Sequence, residues 1–398
     1  MNAMPPKTTV SAHAAVDDRP VKSFQTGQVV SLSICHFIHD VYSSFLAPLL
    51  PLLIKKLSLS LTEAGFLTTV MQLPALLNPY LGTLADRISV RYFIILAPGI
   101  TAVSMSLIGM APSYGVLLIL LLIAGFSVAI FHVPAPVMVA RLSGSKKGRG
   151  MSFFMTGGEL ARSLGPLAAV GAVSLLGLEG FYPVMLVGIL ASLWLFLRFK
   201  DIPIRTDTGQ RTSVLGTWRE MRHVLRPLSV ILFFRGFMHA SITAFLPTFI
   251  NQQTGNLWLA GIGLTVFEAA GVAGVLTAGF LSDMFGRRRI LLISLLGAPA
   301  SLFLFTATGG WIGLAALILV GFTLLSTTPV MLALVQEHAG SSPSAANGFF
   351  FMISFIARSA VVVVVGFVGD QIGLKSTYFV SAFWGLAAVP FVLKLPRE

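Results

Sequence analysis

Twelve apolar stretches divide the sequence, at residues 29–54, 64–85, 92–110, 114–140, 151–177, 181–198, 228–250, 257–281, 290–307, 311–335, 347–369 and 376–393. Each is close to the ~20 residues of helix that cross a bilayer core about 30 Å thick. Such a core admits only structures that satisfy their own backbone N–H and C=O groups, helices or closed barrels. The stretches lack the apolar–polar alternation of a barrel strand, so they are predicted to be helices. Composition agrees, with 55% hydrophobic and only 11% charged residues and a mean hydropathy of +0.87, against about 25% charged in soluble domains. The chain reads as an all-α integral membrane protein of twelve spans, numbered here in order.

The formal net charge is +12, which alone would admit nucleic acid as a partner. Its placement excludes that reading. Of the 27 Lys and Arg, 21 lie in the N-terminal tail, the even-to-odd loops (with Arg198 at the very end of span 6) and the C-terminus, while the opposite loops hold only Lys55, Lys56 and Lys375. That bias is the positive-inside pattern. It predicts both termini on the cytoplasmic side of the membrane, with lipid as the surrounding partner. The polar first residues lack the order of a signal peptide, so no cleaved leader is expected. The single cysteine, Cys35, excludes an intramolecular disulfide and a cysteine-based metal site. The segment WREMRHVLR (218–226) has basic residues spaced for an amphipathic helix on the inner leaflet.

The chain is also doubled. GTLADRISVR (82–91) returns as GFLSDMFGRRR (279–289), SFFMTGGELARS (152–163) as GFFFMISFIARS (348–359), and His39 as His239, all at offsets near 200 residues. The expected organisation is a tail (1–26), a six-helix half (27–198), a cytoplasmic central loop (199–226) and a second six-helix half (227–398), with a cleft between the halves near the midplane. The repeated loop resembles the cytoplasmic signature of the major facilitator superfamily, with Ser89 where the family usually has Gly. Span 1, HFIHDVYSSFLAPLLPLLI (36–54), resembles the fosmidomycin-resistance group of bacterial drug exporters, and LGPLAAVGA (164–172) partly resembles the Gly-Pro motif of proton-driven antiporters. The resemblance implies two pseudo-symmetric halves that alternate access to a central site. It further implies a conformational latch in the repeated loop, made of Gly82, Asp86, Arg87 and Arg91 in one copy and Gly279, Asp283, Gly286, Arg287 and Arg288 in the other. Physical chemistry points the same way, because Asp86 and Asp283 follow helix C-termini, where the macrodipole disfavours an anion by about 0.3–1 kcal/mol. Each therefore needs a partner elsewhere.

Ionisable residues inside the spans carry the functional reading. A charge at the bilayer centre costs about 2.5–3.5 kcal/mol even on insertion scales, so such residues face the interior and mark pathways. His36 and Asp40, Glu159 and Arg162, and Arg235 and His239 each share a helix face at i,i+3 or i,i+4. Asp40, Glu159 and Glu268 are the acids deep enough to carry a proton, and His36 can tune or relay it. Asp40 is the first choice among them. His39, Arg162, Arg235, His239, Arg358, His132 and Gln72 are candidates for substrate contact, the arginines suiting an anionic group such as a phosphonate or carboxylate. Static ion pairing and interhelical hydrogen bonding are the competing roles for Glu159–Arg162, Glu268 and the histidines. A metal centre is not expected, because the histidines and acids show no tight ligand spacing. Pro48, Pro51, Pro134, Pro136 and Pro166 are predicted to kink their spans.

No P-loop or other ATP-using module occurs, so no cofactor is expected and an ion gradient must supply the driving force. The function read from these residues is a monomeric, proton-coupled secondary transporter that exports a small organic solute or drug. Proton-coupled uptake is open to the same fold. A membrane-embedded enzyme would need a nucleophile and base or a metal constellation, and a sensor would be expected to carry a sizeable soluble domain.

Overall fold

The computed structural model describes residues 23–78, 81, 91–144, 146–200, 214–338 and 343–396. Among these residues the regular structure is helical throughout. Ten helical segments are long and apolar enough to cross a membrane: Thr26–Leu57, Arg91–Met110, Tyr114–Leu142, Arg149–Leu176, Tyr182–Phe199, Trp218–Thr254, Leu257–Phe285, Arg287–Ala307, Gly310–Glu337 and Gly348–Val392. With the shorter Leu61–Leu77 as span 2, and the last segment divided at Gly373, they correspond in order to the expected spans. Gly373 has φ 77°, a left-handed value that glycine adopts without a steric cost.

Two breaks follow from proline. A proline ring clashes with the carbonyl four residues earlier and offers no N–H to it. In span 1 the helix Thr26–Ser43 ends and Leu46–Leu57 begins, four residues before Pro48. In span 4 the helix Tyr114–His132 stops at His132, four residues before Pro136, and resumes at Ala135–Leu142. Asp40 and His132 therefore stand beside interrupted backbone, which membranes tolerate where it lines a protein interior or a cavity. Span 7 differs from expectation at its start. The helix Val214–Thr254 is continuous, with Met221, Val224 and Leu225 fully buried, so residues 218–226 extend the span inward instead of forming a separate surface helix.

The apolar packing shows where the halves meet. One buried cluster joins them, with Leu49, Leu50 and Leu67 from the first half against Phe245, Val362 and Tyr378 from the second. Toward the arginine-rich end each half keeps its own cluster, around Phe131 and Leu195 in one and Leu291 and Met331 in the other. The halves are thus packed together at the end remote from the arginine-rich loops, designated here the outer end, and separate toward the other, designated the inner end. Large apolar side chains on the perimeter, such as Leu175 and Trp311, are exposed, as expected of surfaces that face lipid.

Candidate functional site

A cavity of about 450 Å³ lies between the halves where the packing diverges, lined by Asp40, Gln72, His132 and Arg162 from the first half and by Glu268 and Arg358 from the second. Arg162 and Arg358 are counterparts in the repeat, so each half aims one guanidinium at the space. Arg162 is ion-paired with Glu159, one turn earlier on the same helix, and its side chain remains half exposed. Arg358 lies over the ring of Phe355, 5.1 Å from its centroid. Glu268 on span 8 interacts electrostatically with both arginines.

One wall of the cavity is a compact histidine–aspartate cluster. His36 Nε2 stands 3.1 Å from Asp40 Oδ2, the pair expected from i,i+4 spacing. His132 Nε2, from the end of the first helix of span 4, is 3.4 Å from Asp40 Oδ1 and 3.3 Å from His36 Nε2. On their far sides His36 Nδ1 donates to the Phe154 carbonyl at 2.8 Å and His132 Nδ1 to the Val128 carbonyl at 3.0 Å. The His36 ring stacks on Phe154 with centroids 3.9 Å apart. Gly158 makes the room, since a Cβ there would stand 2.7 Å from His36 Cε1. The absence of ligand spacing in the sequence does not carry over to this geometry. One ligand atom each from His36, Asp40 and His132 fall within 4.8 Å of one another, although His132 is far from the other two in sequence.

Other candidates lie off this wall. His39 is fully buried against Phe131, ring centroids 4.4 Å apart, and its Nε2 is 4.0 Å from Asp40 Oδ1. Arg235 donates from Nη2 to the Leu324 carbonyl at 3.0 Å and to Thr328 Oγ1 at 3.2 Å, bracing span 7 against span 10. His239, one turn further on, contacts Thr243 at 3.5 Å. Helical spacing puts two side chains on one face, and says nothing about which neighbour that face meets.

A family model described as Major Facilitator Superfamily matches residues 32–360 and, in an overlapping alignment, 228–398. The chain belongs to the major facilitator superfamily. It is therefore a multi-pass membrane transporter protein and not an enzyme. The fosmidomycin resistance protein of Escherichia coli (strain K12) is 28% identical over 383 residues, covering 94% of this chain and 93% of that protein. A multidrug resistance protein, MdtG of Salmonella paratyphi C, is 25% identical over 65% of this chain and 68% of its own length. The fold is similar to that of a nucleoside transporter, NupG, with TM-score 0.75 at 15% identity over 93% of this chain and 100% of that one.

In this superfamily member the two ends of the central space are held differently. At the outer end Asp370, which sequence reasoning missed, accepts from Leu61 N at 2.7 Å, Thr62 N at 2.9 Å and Thr62 Oγ1 at 2.5 Å. It caps the N-terminus of span 2 from the opposite half. Ser60 and Glu63 complete the same terminus as a capping box. Nearer the middle, Thr69 Oγ1 donates to the Ser359 carbonyl at 2.8 Å, again across the halves. No sequence signal marks Asp370, because its partners, two backbone amides and the Thr62 hydroxyl, are 308 and 309 residues away.

At the inner end Gly82, Asp86 and Arg87 lie outside the described residues. In the second copy of the motif, among the described residues, Arg287 bridges Asp283 at 2.5 Å and Glu337 at 2.9 Å, and Arg288 donates to the Leu393 carbonyl at 2.8 Å. A carboxylate capping a helix N-terminus is worth about 0.5–2 kcal/mol. Asp370→Ala, which removes every acceptor, is therefore expected to shift the balance of access states roughly 2- to 30-fold toward the outward-open one at normal abundance. Labelling of a cysteine placed on the cavity wall, from each side of the membrane, measures that shift.

Proposed function

We propose that this chain exports a small organic solute across the bacterial inner membrane in exchange for protons, by alternating access about the central cavity, working as a monomer with both termini cytoplasmic. The cavity is the observation that carries this reading. It is built from both halves of a doubled chain, bears ionisable groups of both signs, and is sealed toward one end by cross-half contacts that a rocking motion can exchange for others. The names of the relatives, resistance proteins for fosmidomycin and for multiple drugs, support export.

The lining supports a solute with an anionic group at one end and hydrogen-bond donors at the other. Arg358 and Arg162 suit the anion, as charge-assisted and bidentate donors. Glu268 suits the donors when ionised. A proton on Glu268 removes the charge from that acceptor, and a hydrogen bond to a charged group is worth about 1.5–3 kcal/mol. Solute and proton then compete for one carboxylate by roughly ten- to hundredfold in affinity, which is what exchange requires. Asp283 and its counterpart Asp86, with Arg87 and Arg91 beside the latter, are proposed to trade partners as the inner end closes.

The test is a solute-dependent proton flux in vesicles of known orientation, with a panel of anionic phosphonates, zwitterions and lipophilic cations. Solute leaving against an inward proton flux is the expected result. Proton and solute moving in the same direction would overturn exchange in favour of uptake, and flux of solute with no proton movement would overturn coupling altogether. Arg358→Gln in the same vesicles is expected to raise KM for anionic solutes about tenfold while leaving cationic ones unchanged. An equal loss for both classes would assign Arg358 to structure.

A further inference from the structure

The two imidazoles on the cavity wall cannot both be hydrogen-bond donors toward Asp40 when they are neutral. A backbone carbonyl offers only lone pairs, so His36 Nδ1 and His132 Nδ1, each bonded to one, must carry the N–H. That leaves the lone pairs of both Nε2 atoms, 3.3 Å apart, converging with the carboxylate of Asp40. Three electron-rich atoms meeting in a buried wall need a cation among them.

We propose that His36, Asp40 and His132 form a binding site for a divalent first-row transition metal of the Zn²⁺ class. A tetrahedral zinc site with Zn–N and Zn–O near 2.0–2.2 Å has ligand-to-ligand edges of about 3.3–3.5 Å. The two Nε2 atoms are 3.3 Å apart, and each faces its own carboxylate oxygen, His36 at 3.1 Å from Oδ2 and His132 at 3.4 Å from Oδ1. Taken one ligand atom per residue, the three lie within 4.8 Å of one another, so a turn of the carboxylate is what closes the set on an ion. Two imidazoles and one carboxylate are a donor set suited to Zn²⁺ and its neighbours. Carbonyl acceptors on the far side of each ring are the outer shell that orients metal-ligating histidines. Asp40 and His132 line the cavity, so the ion has an entry path and the fourth position faces the central space. The other charged groups around it are His39, 4.0 Å from Asp40, and Arg162 across the cavity wall. This site goes beyond the transport reading and does not depend on it.

The experiment uses the full chain in nanodiscs with any affinity tag removed, titrated with Zn²⁺ against a chromophoric chelator. One Zn²⁺ per chain is expected. His36→Ala and His132→Ala should each weaken it at least about 100-fold, beyond the 10–100-fold typical of outer-shell changes. His223→Ala, at the inner end, should leave it unchanged. Zinc-edge X-ray absorption on the wild-type protein needs no variant to fold, and should show two imidazole ligands with oxygen completing the shell. No binding by the wild-type chain, a zinc shell without imidazole, or affinity undiminished in both histidine variants would overturn the site. The first of these results would assign the cation at this cluster to a proton.

Discussion

Glu268→Gln should abolish solute transport driven by a pH gradient while leaving the protein at normal abundance and gradient-free solute exchange within about tenfold of wild type. The side chain keeps its size and a hydrogen-bond acceptor, and loses its negative charge and the ability to titrate. Its carboxylate shares the cavity with Arg358 and Arg162, so the change removes one charge from that space with little alteration of shape. Uptake of solute into inverted vesicles, with and without an imposed gradient, separates the two activities. Glu159→Gln is the matched control. It breaks the ion pair with Arg162, which is half exposed and so is worth no more than about 1 kcal/mol, and it should change solute affinity less than about fivefold with coupling intact. If Glu268→Gln keeps full pH-driven transport while Asp40→Asn loses it, the proton belongs to the span 1 cluster and Glu268 is a solute contact only.

An equally large effect is expected from a single methyl group at the outer seam. A Cβ added at Gly366 would stand 2.3 Å from the Leu61 carbonyl oxygen, and one at Gly65 would stand 2.7 Å from that of Val362. Both are backbone atoms of the opposite half and cannot rotate away. Small residues at helix interfaces exist for such approach, and overpacking costs about 1–3 kcal/mol. Across the halves the strain can be relieved by opening the seam. Gly366→Ala should therefore populate the outward-open state about 5- to 150-fold more than wild type, cut transport by tenfold or more, and leave abundance normal. Gly125→Ala supplies the contrast. Its Cβ would stand 1.9 Å from the Met71 carbonyl oxygen, but spans 4 and 2 belong to one half and no rocking motion separates them. That variant should lose abundance and thermal stability instead of changing its access state. Side-specific cysteine labelling, read against membrane abundance, distinguishes the two outcomes. Equal loss of abundance in both variants would mean that the outer seam is fixed packing and not a moving contact.

Much of this architecture was legible in the linear sequence because a bilayer leaves the chain few choices. Span lengths, helical type and the halving of the chain follow from backbone hydrogen bonding in lipid and from repeats near 200 residues, and the Asp40–His36 contact follows from helical spacing alone. The prolines that break spans 1 and 4 were equally visible, since the clash they make is local. Tertiary structure decided which buried charges share a space. His132 joins His36 and Asp40 only because span 4 stops beside span 1, which is why a ligand set absent from the local spacing exists in the fold. Arg235 and His39, indistinguishable in sequence from Arg358 and His132, point into packing between helices because the rotation of each helix about its axis is set by its neighbours. Asp370 is the clearest case: two of its three partners are backbone amides of the other half, groups every residue but proline carries, and the third is the hydroxyl of Thr62 beside them, so no local side-chain pattern announces the contact. Local hydrogen bonding and hydropathy are properties of residues in order, whereas the site and its outer seal are properties of surfaces that meet only after the helices have packed.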